Sequence, residues 1–437
     1  MLQLPDTGVR RRVLSLRLAL GKMGLSWLAP CGGASVGREG PTVQVGAAVL
    51  FSIGRWIRLP HQLSEHSLIV AGVVAFNTPL AGIVFAIEEM ARSFEEKTSG
   101  TLLIAVIVAG LAAMYVLGNY NYFGHAGAPL TSTAPAWRLV FVGGVLGGIA
   151  GGVFSRILLH INTLGLSGVI GRLMRSHPVG FPALCGLLLV LLGIASGNQV
   201  FGSGYPEAHH LIEAKAELPP GYEILKLLAT LVSFLSGIPG GLFAPSLSVG
   251  AGLGVILAPL FPGLDASAVI VIGMVVYFAA VVQAPITAFV IVMEMIDNQD
   301  MMVPLMAAAL IASTVSRPIF RTLLYKGLAM RSLLTQWGHE VIVAGSGAEM
   351  QTRIASCQTV PRLIICDYHL RAGENGICVI QQLQSEFNAD IPAMLITGDT
   401  APERLREAQE SGFLLLHKPV PNSKLRAAIG NLMARSD

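Results

Sequence analysis

Charge is what this chain has least of. Only 13% of its 437 residues are Asp, Glu, Lys or Arg, where soluble domains carry about 25%. No charged residue occurs in 98–137, 176–206, 227–264 or 266–293. Each run exceeds the roughly 20 residues needed to cross a bilayer. That excludes an ordinary soluble enzyme for most of the chain and points to a membrane protein. The five cysteines, Cys31, Cys185, Cys357, Cys366 and Cys378, have neither metal-ligand nor disulfide spacing, so no zinc or disulfide scaffold is expected. No stretch rich in Gly, Pro or Ser marks a linker. Nothing supports a nucleic-acid partner or a resident cofactor.

The charge that is present gathers at one end. Residues 336–437 hold 20 of the 55 charged residues, against 35 in the preceding 335. The front carries net +5 and the tail −2. The expected organisation is a membrane domain over 1–335 and a smaller soluble domain over 336–437. Gly and Pro interrupt many of the apolar runs, as in transporters with broken helices. The N-terminus is basic and then apolar, but Arg17 and Lys22 break the apolar part and no cleavage site comes after it, which argues against a signal peptide. Arg10, Arg11 and Arg12 mark a cytoplasmic flank.

Two loops repeat. "GREGPTVQVGA" (37–47) returns as "GLFAPSLSVGA" (241–251), so that Pro41 aligns with Pro245 at an offset of 204. "PLAGIVFAIEEM" (79–90) then falls beside "APITAFVIVMEM" (284–295): Pro79 pairs with Pro285 and Glu88 with Glu294, at an offset of 206. Inverted repeats with a site between the halves are a recurring transporter plan. Forty residues before Phe243 stands Ser203 of "GSGYP"; forty before Glu39 is position −1. The chain is therefore expected to begin inside its first repeat.

The loops carry chemistry. Glycine-flanked residues at a helix start leave backbone N–H groups free, and the helix dipole adds positive potential, so each loop can hold an anion. The expected ligands are the amides of Leu242 and Phe243 in one half and of Arg38 and Glu39 in the other. Glu39 brings a carboxylate of its own, which can fill the anion site and leave it when protonated. The alternative is an Arg38–Glu39 pair at the headgroup boundary. Glu88 and Glu89 end an apolar helix, as proton relays or as an ordinary helix-end acidic pair.

"GREGPTVQVGA", "AFNTPLAGIVFAIEEM", "GIPGGLFAPSLSVGA" and "APITAFVIVMEMIDN" together resemble the CLC chloride channel/transporter family, from about Val13 to about Ala329. The resemblance implies an all-α polytopic fold built as an inverted repeat, a homodimer, and chloride and protons as the transported ions. It implies that Glu39 is the gate, Glu89 the internal proton-transfer acid, and Leu242 and Phe243 backbone anion ligands. Both acids together favour H+/Cl− exchange over a passive channel. Three departures stand out. The family's "GSGIP" segment, with the helices before it, is absent. Its central anion-binding Tyr falls at Phe320 of "RPIF", with Tyr325 out of register. The run before "AFNTPL" is shorter, which rotates the downstream residues by about 100° per missing residue and bears on where Glu89 is held.

From His339 the pattern becomes an α/β alternation, with strands expected over 340–344, 362–368, 392–399 and 413–419. Asp367, Thr397 and Lys418 end the last three. At one sheet edge an acid, a hydroxyl and an amine suit phosphoryl transfer. "CDYHL", "LITGD" and "HKPVPNSKL" resemble a response-regulator receiver, a flavodoxin-like fold. The resemblance implies Asp367 as phosphoacceptor with Thr397 and Lys418, a histidine kinase as phosphodonor, and Mg²⁺ if the domain is active. The family's first strand and its Mg²⁺-binding acidic pair are missing, and Glu340 and Glu349 do not replace the pair. Weak or absent phosphorylation is expected, with free backbone edges on the neighbouring strands.

The leading expectation is a truncated H+/Cl− antiporter of a bacterial-type inner membrane, gated by Glu39, with a cytoplasmic receiver tail. The alternatives are a passive chloride channel, a membrane-anchored phosphorelay protein, and an inactive fusion of two gene fragments.

Overall fold

The computed structural model describes residues 15–56, 79–85, 88, 133–164, 179–213, 218–296, 298–320, 337–344, 349–351, 360–368, 375–387, 389–397, 411–417 and 422–433, and singly 108, 112, 115, 118, 123, 176, 177, 334, 347, 370 and 420. The chain divides into two compact units, one of Gly8–Arg321 and one of Met1–Thr7 with Thr322–Asp437.

Every described helix or strand of the first unit is a helix. In chain order these are α1 (Leu16–Cys31), α2 (Glu39–Trp56), α3 (Pro79–Phe85), α4 (Ala134–Leu164), α5 (Gly180–Ala195), α6 (Tyr205–Ile212), α7 (Tyr222–Leu235), α8 (Phe243–Leu257), α9 (Ala266–Val282), α10 (Pro285–Ile296) and α11 (Met302–Phe320). The stretches 134–158, 243–260 and 302–319 are long and apolar enough to cross a membrane. Helix α8 starts at Phe243.

The centre is α9, "ASAVIVIGMVVYFAAVV", apolar on every face and buried over nearly its whole length. A helix apolar all round belongs in a protein core or in lipid, and here it is protein that covers it. Asp265 caps its start, accepting from the amides of Ser267 at 2.8 Å and Ala268 at 3.3 Å. Gln283 ends it in the left-handed region at φ 62°, and Pro285 opens α10 in the first-turn position proline favours.

Glycine decides how closely the neighbours approach. Helix α4 reads "GGVLGGIAGG", two rows of glycines four apart on adjacent faces. A Cβ on Gly143, Gly147 or Gly151 would meet Ile272, Val276 or Ala280 of α9. One on Gly144, Gly148 or Gly152 would meet Ile311, Ala312 or Ser316 of α11. Across α9, Gly250 and Gly254 of α8 face Gly273, backbone against backbone. Small residues four apart let membrane helices close where the hydrophobic effect gives no drive.

The second unit holds a parallel sheet, β1 (Ile364–Asp367), β2 (Ala393–Thr397) and β3 (Leu414–His417), in the order β1-β2-β3. Asp367 pairs with Ile396 and Thr397 with His417. The helices α12 (Gly376–Phe387) and α13 (Asn422–Met433) belong to the same unit. Strand alternation sends Ala393 and Leu395 to one core with Ile377 and Ile380 of α12. Met394 and Ile396 go to the other, with Leu425 and Ile429 of α13. Burial on both faces is what a parallel sheet requires.

One expected strand is corrected. Residues 340–344 form no strand; Val341 packs against the α13 side of the core instead. Among the described residues no strand lies beside it, and an extended segment gains its backbone hydrogen bonds only from a partner.

Candidate functional site

The two repeated loops touch each other. Gly37 N–H donates to Gly241 O at 2.8 Å and Gly241 N–H to Gly37 O at 2.6 Å, an antiparallel pair. Helix α2 leaves this pair at Glu39 and helix α8 at Phe243, so two helix N-termini meet. The glycines are there for close approach. A Cβ on Gly37 would strike Glu39 Oε2, and one on Gly241 would lie 3.0 Å from the same oxygen.

Glu39 is buried, at 3% exposure, while Arg38 is exposed. Tyr205 Oη donates to Glu39 Oε1 at 2.9 Å. The amides of Glu39 itself and of Ala244 face the carboxylate, and Oε2 has no hydrogen-bond partner among the described residues. The carboxylate thus lies against the positive ends of two helices, where an anion is favoured. In the other half Phe243 stands in the place of Glu39. Its ring packs edge-on against Phe85 at 5.8 Å and Phe278 at 5.0 Å, an apolar anchor with no ionisable group.

A stripe of buried polar residues on α7 holds both approaches to the site. Tyr222, Lys226, Thr230 and Ser233 succeed one another at spacings of four, four and three and are all buried. Ser35 N–H donates to Ser233 Oγ at 2.9 Å, and Ser35 Oγ lies 3.0 Å from Thr230 Oγ1. That fixes the loop before Glu39. Lys226 Nζ donates to the carbonyls of Val200 at 2.9 Å and Gly202 at 3.0 Å, which fixes the loop before Tyr205. Glu207 faces the charge of Lys226. Tyr222 Oη and Ser248 Oγ of α8 are 2.7 Å apart. Gly204, at φ 81°, leaves no room for a side chain beside Ser248 and Lys226.

The two acids matched by the repeat cap each other's halves. Glu88 accepts from the amides of Ile286 at 3.2 Å and Thr287 at 2.6 Å, and from Thr287 Oγ1 at 2.7 Å, at the start of α10. Glu294 of α10 accepts from Ala81 N–H at 2.7 Å, at the start of α3. Glu88 is therefore spent on a helix cap. Glu89 lies outside the described residues, as do Tyr325, Lys418 and the side chain of Phe320, the last residue of α11. Leu242 and Phe243 open α8 as expected.

In the second unit Asp367 and Thr397 end neighbouring strands, with Thr397 buried. In the first unit His209, His210 and Glu213 bring metal-ligand atoms within 4.8 Å of one another. His209 Nδ1 and Glu213 Oε2 lie 3.3 Å apart across one turn. A histidine pair in the last turn of α6 fits the negative helix end without a metal.

Sequence reasoning missed Tyr205, Lys226 and the reciprocal caps. The 4-4-3 spacing on α7 was a signal for the polar stripe. Contacts such as Tyr205–Glu39, 166 positions apart, leave no mark in local spacing.

Residues 6–317 match the family described as Voltage gated chloride channel. The chain belongs to this family. It is an integral membrane protein of an ion-transport family, not an enzyme. It is 32% identical over 328 residues to the H(+)/Cl(-) exchange transporter ClcA of Yersinia pestis bv. Antiqua (strain Angola), covering 70% of this chain and 66% of that protein. It is 32% identical over 331 residues to the ClcA of Klebsiella pneumoniae subsp. pneumoniae, covering 68% and 66%. The chain thus spans just under two thirds of these curated relatives. Among solved structures it resembles a CLC-type fluoride/proton antiporter, with TM-score 0.59 and 26% identity over 70% of this chain and 76% of that one. A slow cyanobacterial Cl-/H+ antiporter gives TM-score 0.59 and 25% identity over 73% and 78%. A eukaryotic CLC transporter, at 18% identity and TM-score 0.56 over 97% and 77%, shares the fold. The family match ends before the C-terminal sheet, which it does not identify as a receiver.

Proposed function

We propose that this protein exchanges chloride for protons across a membrane, with Glu39 as the gate. The observation that carries the reading is the buried Glu39 carboxylate seated between the N-termini of α2 and α8. Its two oxygens stand in for the anion that this place favours. Protonation cancels its charge and with it the attraction of the helix ends. The side chain then yields the seat to chloride, which ties one ion's movement to the other's. The amides of Leu242 and Phe243, with those of Arg38 and Glu39, are the proposed anion ligands. Glu89 is the proposed internal proton carrier, and Phe320, in the place of the family's Tyr, has no hydroxyl to donate to an anion. The chain's similarity to named H(+)/Cl(-) exchangers supports these assignments. The reading includes a homodimer in an inner membrane, with no cofactor beyond the transported ions.

The test is chloride efflux from proteoliposomes with external pH recorded, beside a Glu39→Ala variant. Efflux with opposing proton movement, lost in the variant, supports exchange. Efflux with no proton movement in either protein makes it a passive channel. No efflux from inserted protein overturns the reading.

For the C-terminal unit we propose a partial receiver facing the cytoplasm. The parallel order β1-β2-β3, with Asp367 and Thr397 at strand ends, supports it. Residues 323–336 hold no Asp or Glu, so the acidic pair that would hold Mg²⁺ has no counterpart there and no Mg²⁺ chemistry is assigned. Incubation with a small phosphodonor and Mg²⁺ is expected to leave Asp367 unmodified; stoichiometric phosphate uptake would reverse this.

A further inference from the structure

Glu39 has one side-chain partner that neither the repeat nor the anion chemistry requires. Tyr205 is the first residue of α6 and reaches Glu39 from the other half of the repeat. It is held from three sides. Its ring packs on Phe123 at 5.3 Å, Ser203 Oγ accepts from its amide at 3.4 Å, and Lys226 fixes the carbonyls of Val200 and Gly202 just before it. A phenol aimed this way is preorganised rather than searching for a partner. A phenolic O–H donates best to a carboxylate, and such charge-assisted bonds are about twice as strong as neutral ones.

We propose that Tyr205 is a latch on the gate: its hydroxyl holds the Glu39 carboxylate in its seat, so an incoming anion must break this bond as well as displace the carboxylate from the helix ends. Tyr205 is a positioning residue, acting on the anion only through Glu39. The proposal rests on the reading of Glu39 as occupant of an anion site and names the group that sets how firmly it sits. The partition between carboxylate-in and anion-in then depends on a residue of α6, which belongs to neither helix whose N-terminus forms the seat.

The test is chloride binding by titration calorimetry on the detergent-solubilised protein. Four forms are compared: the unchanged chain, Tyr205→Phe, Glu39→Ala and the double variant. Tyr205→Phe keeps the ring against Phe123 and removes only the hydroxyl. Losing one hydrogen bond to a charged group weakens the seated form enough to tighten chloride binding about 10-fold. In the Glu39→Ala background the same change is expected to alter binding by less than about 2-fold, since the latch has nothing left to hold. A merely structural Tyr205 would shift both backgrounds alike, and that outcome overturns the latch. So does equal binding by Tyr205→Phe and the unchanged chain, or weaker binding by Tyr205→Phe, which would make the hydroxyl a direct anion ligand. If Glu39→Ala itself binds no chloride, the anion-site reading fails first and the latch with it.

Discussion

At the scale of single residues the site depends on what is small and what is buried. Gly37 is the sharpest case, because a methyl group there occupies the space of Glu39 Oε2. Gly37→Ala is expected to expel the carboxylate and to give the uncoupled chloride flux of Glu39→Ala in proteoliposomes, with unchanged melting in detergent. Lys226 is fully buried and serves the carbonyls of Val200, Phe201 and Gly202. Taking a charge out of water is costly, which by itself would favour an apolar replacement. The carbonyls of Val200 and Gly202 reverse that preference, because they would stay buried without their donor. Lys226→Met should lower stability by on the order of 3 kcal/mol, read as an earlier melting transition. The acid at 39 was legible from "GREGP" alone, because an ionisable residue between glycines at membrane depth is conspicuous. Its partner Tyr205 was not, since nothing near position 205 refers to position 39.

At the scale of elements, α4 is held by the absence of side chains. A Cβ on Gly147 runs into the Cβ and backbone of Val276 on α9. Gly147→Leu should cost more than the roughly 1–3 kcal/mol of ordinary overpacking, because helix backbone cannot rotate aside as a side chain can. The measurement is the yield of monodisperse protein in detergent. Gly186→Leu on α5, with open space around Gly186, is the control and should leave the yield unchanged. The Glu88 and Glu294 caps join α10 and α3 across the two halves. Glu294→Ala should lose about 1 kcal/mol, the worth of a helix cap. The matched position of these acids was visible as an offset; their use as caps was not. A carboxylate at a helix end reads the same in sequence whether it faces a pore, water or another helix's first turn.

At the scale of the whole molecule the chain is two units with separate cores. Strands β1 and β3 each have only one partner strand among the described residues, and the segment 340–344 adds no fourth. Edges without partners cost cooperativity. Calorimetry on the full chain should therefore show two transitions, with the C-terminal unit melting first. Urea that unfolds only this unit should leave chloride binding by the first unit unchanged.

Read along the chain, the residues alone establish the environment, the repeat and the gate candidate. Uncharged runs longer than a bilayer, duplicated loops at an offset of 204 and an acid between glycines ahead of an apolar run are all local or periodic facts. Who touches whom is settled by folding. The fold joins Gly37 to Gly241, gives Glu39 a tyrosine, turns Glu88 from a relay candidate into a cap, and leaves 340–344 without a strand to pair with. Each of these rests on contact between residues distant in the chain, and packing in three dimensions, not spacing in one, sets which distant residues meet.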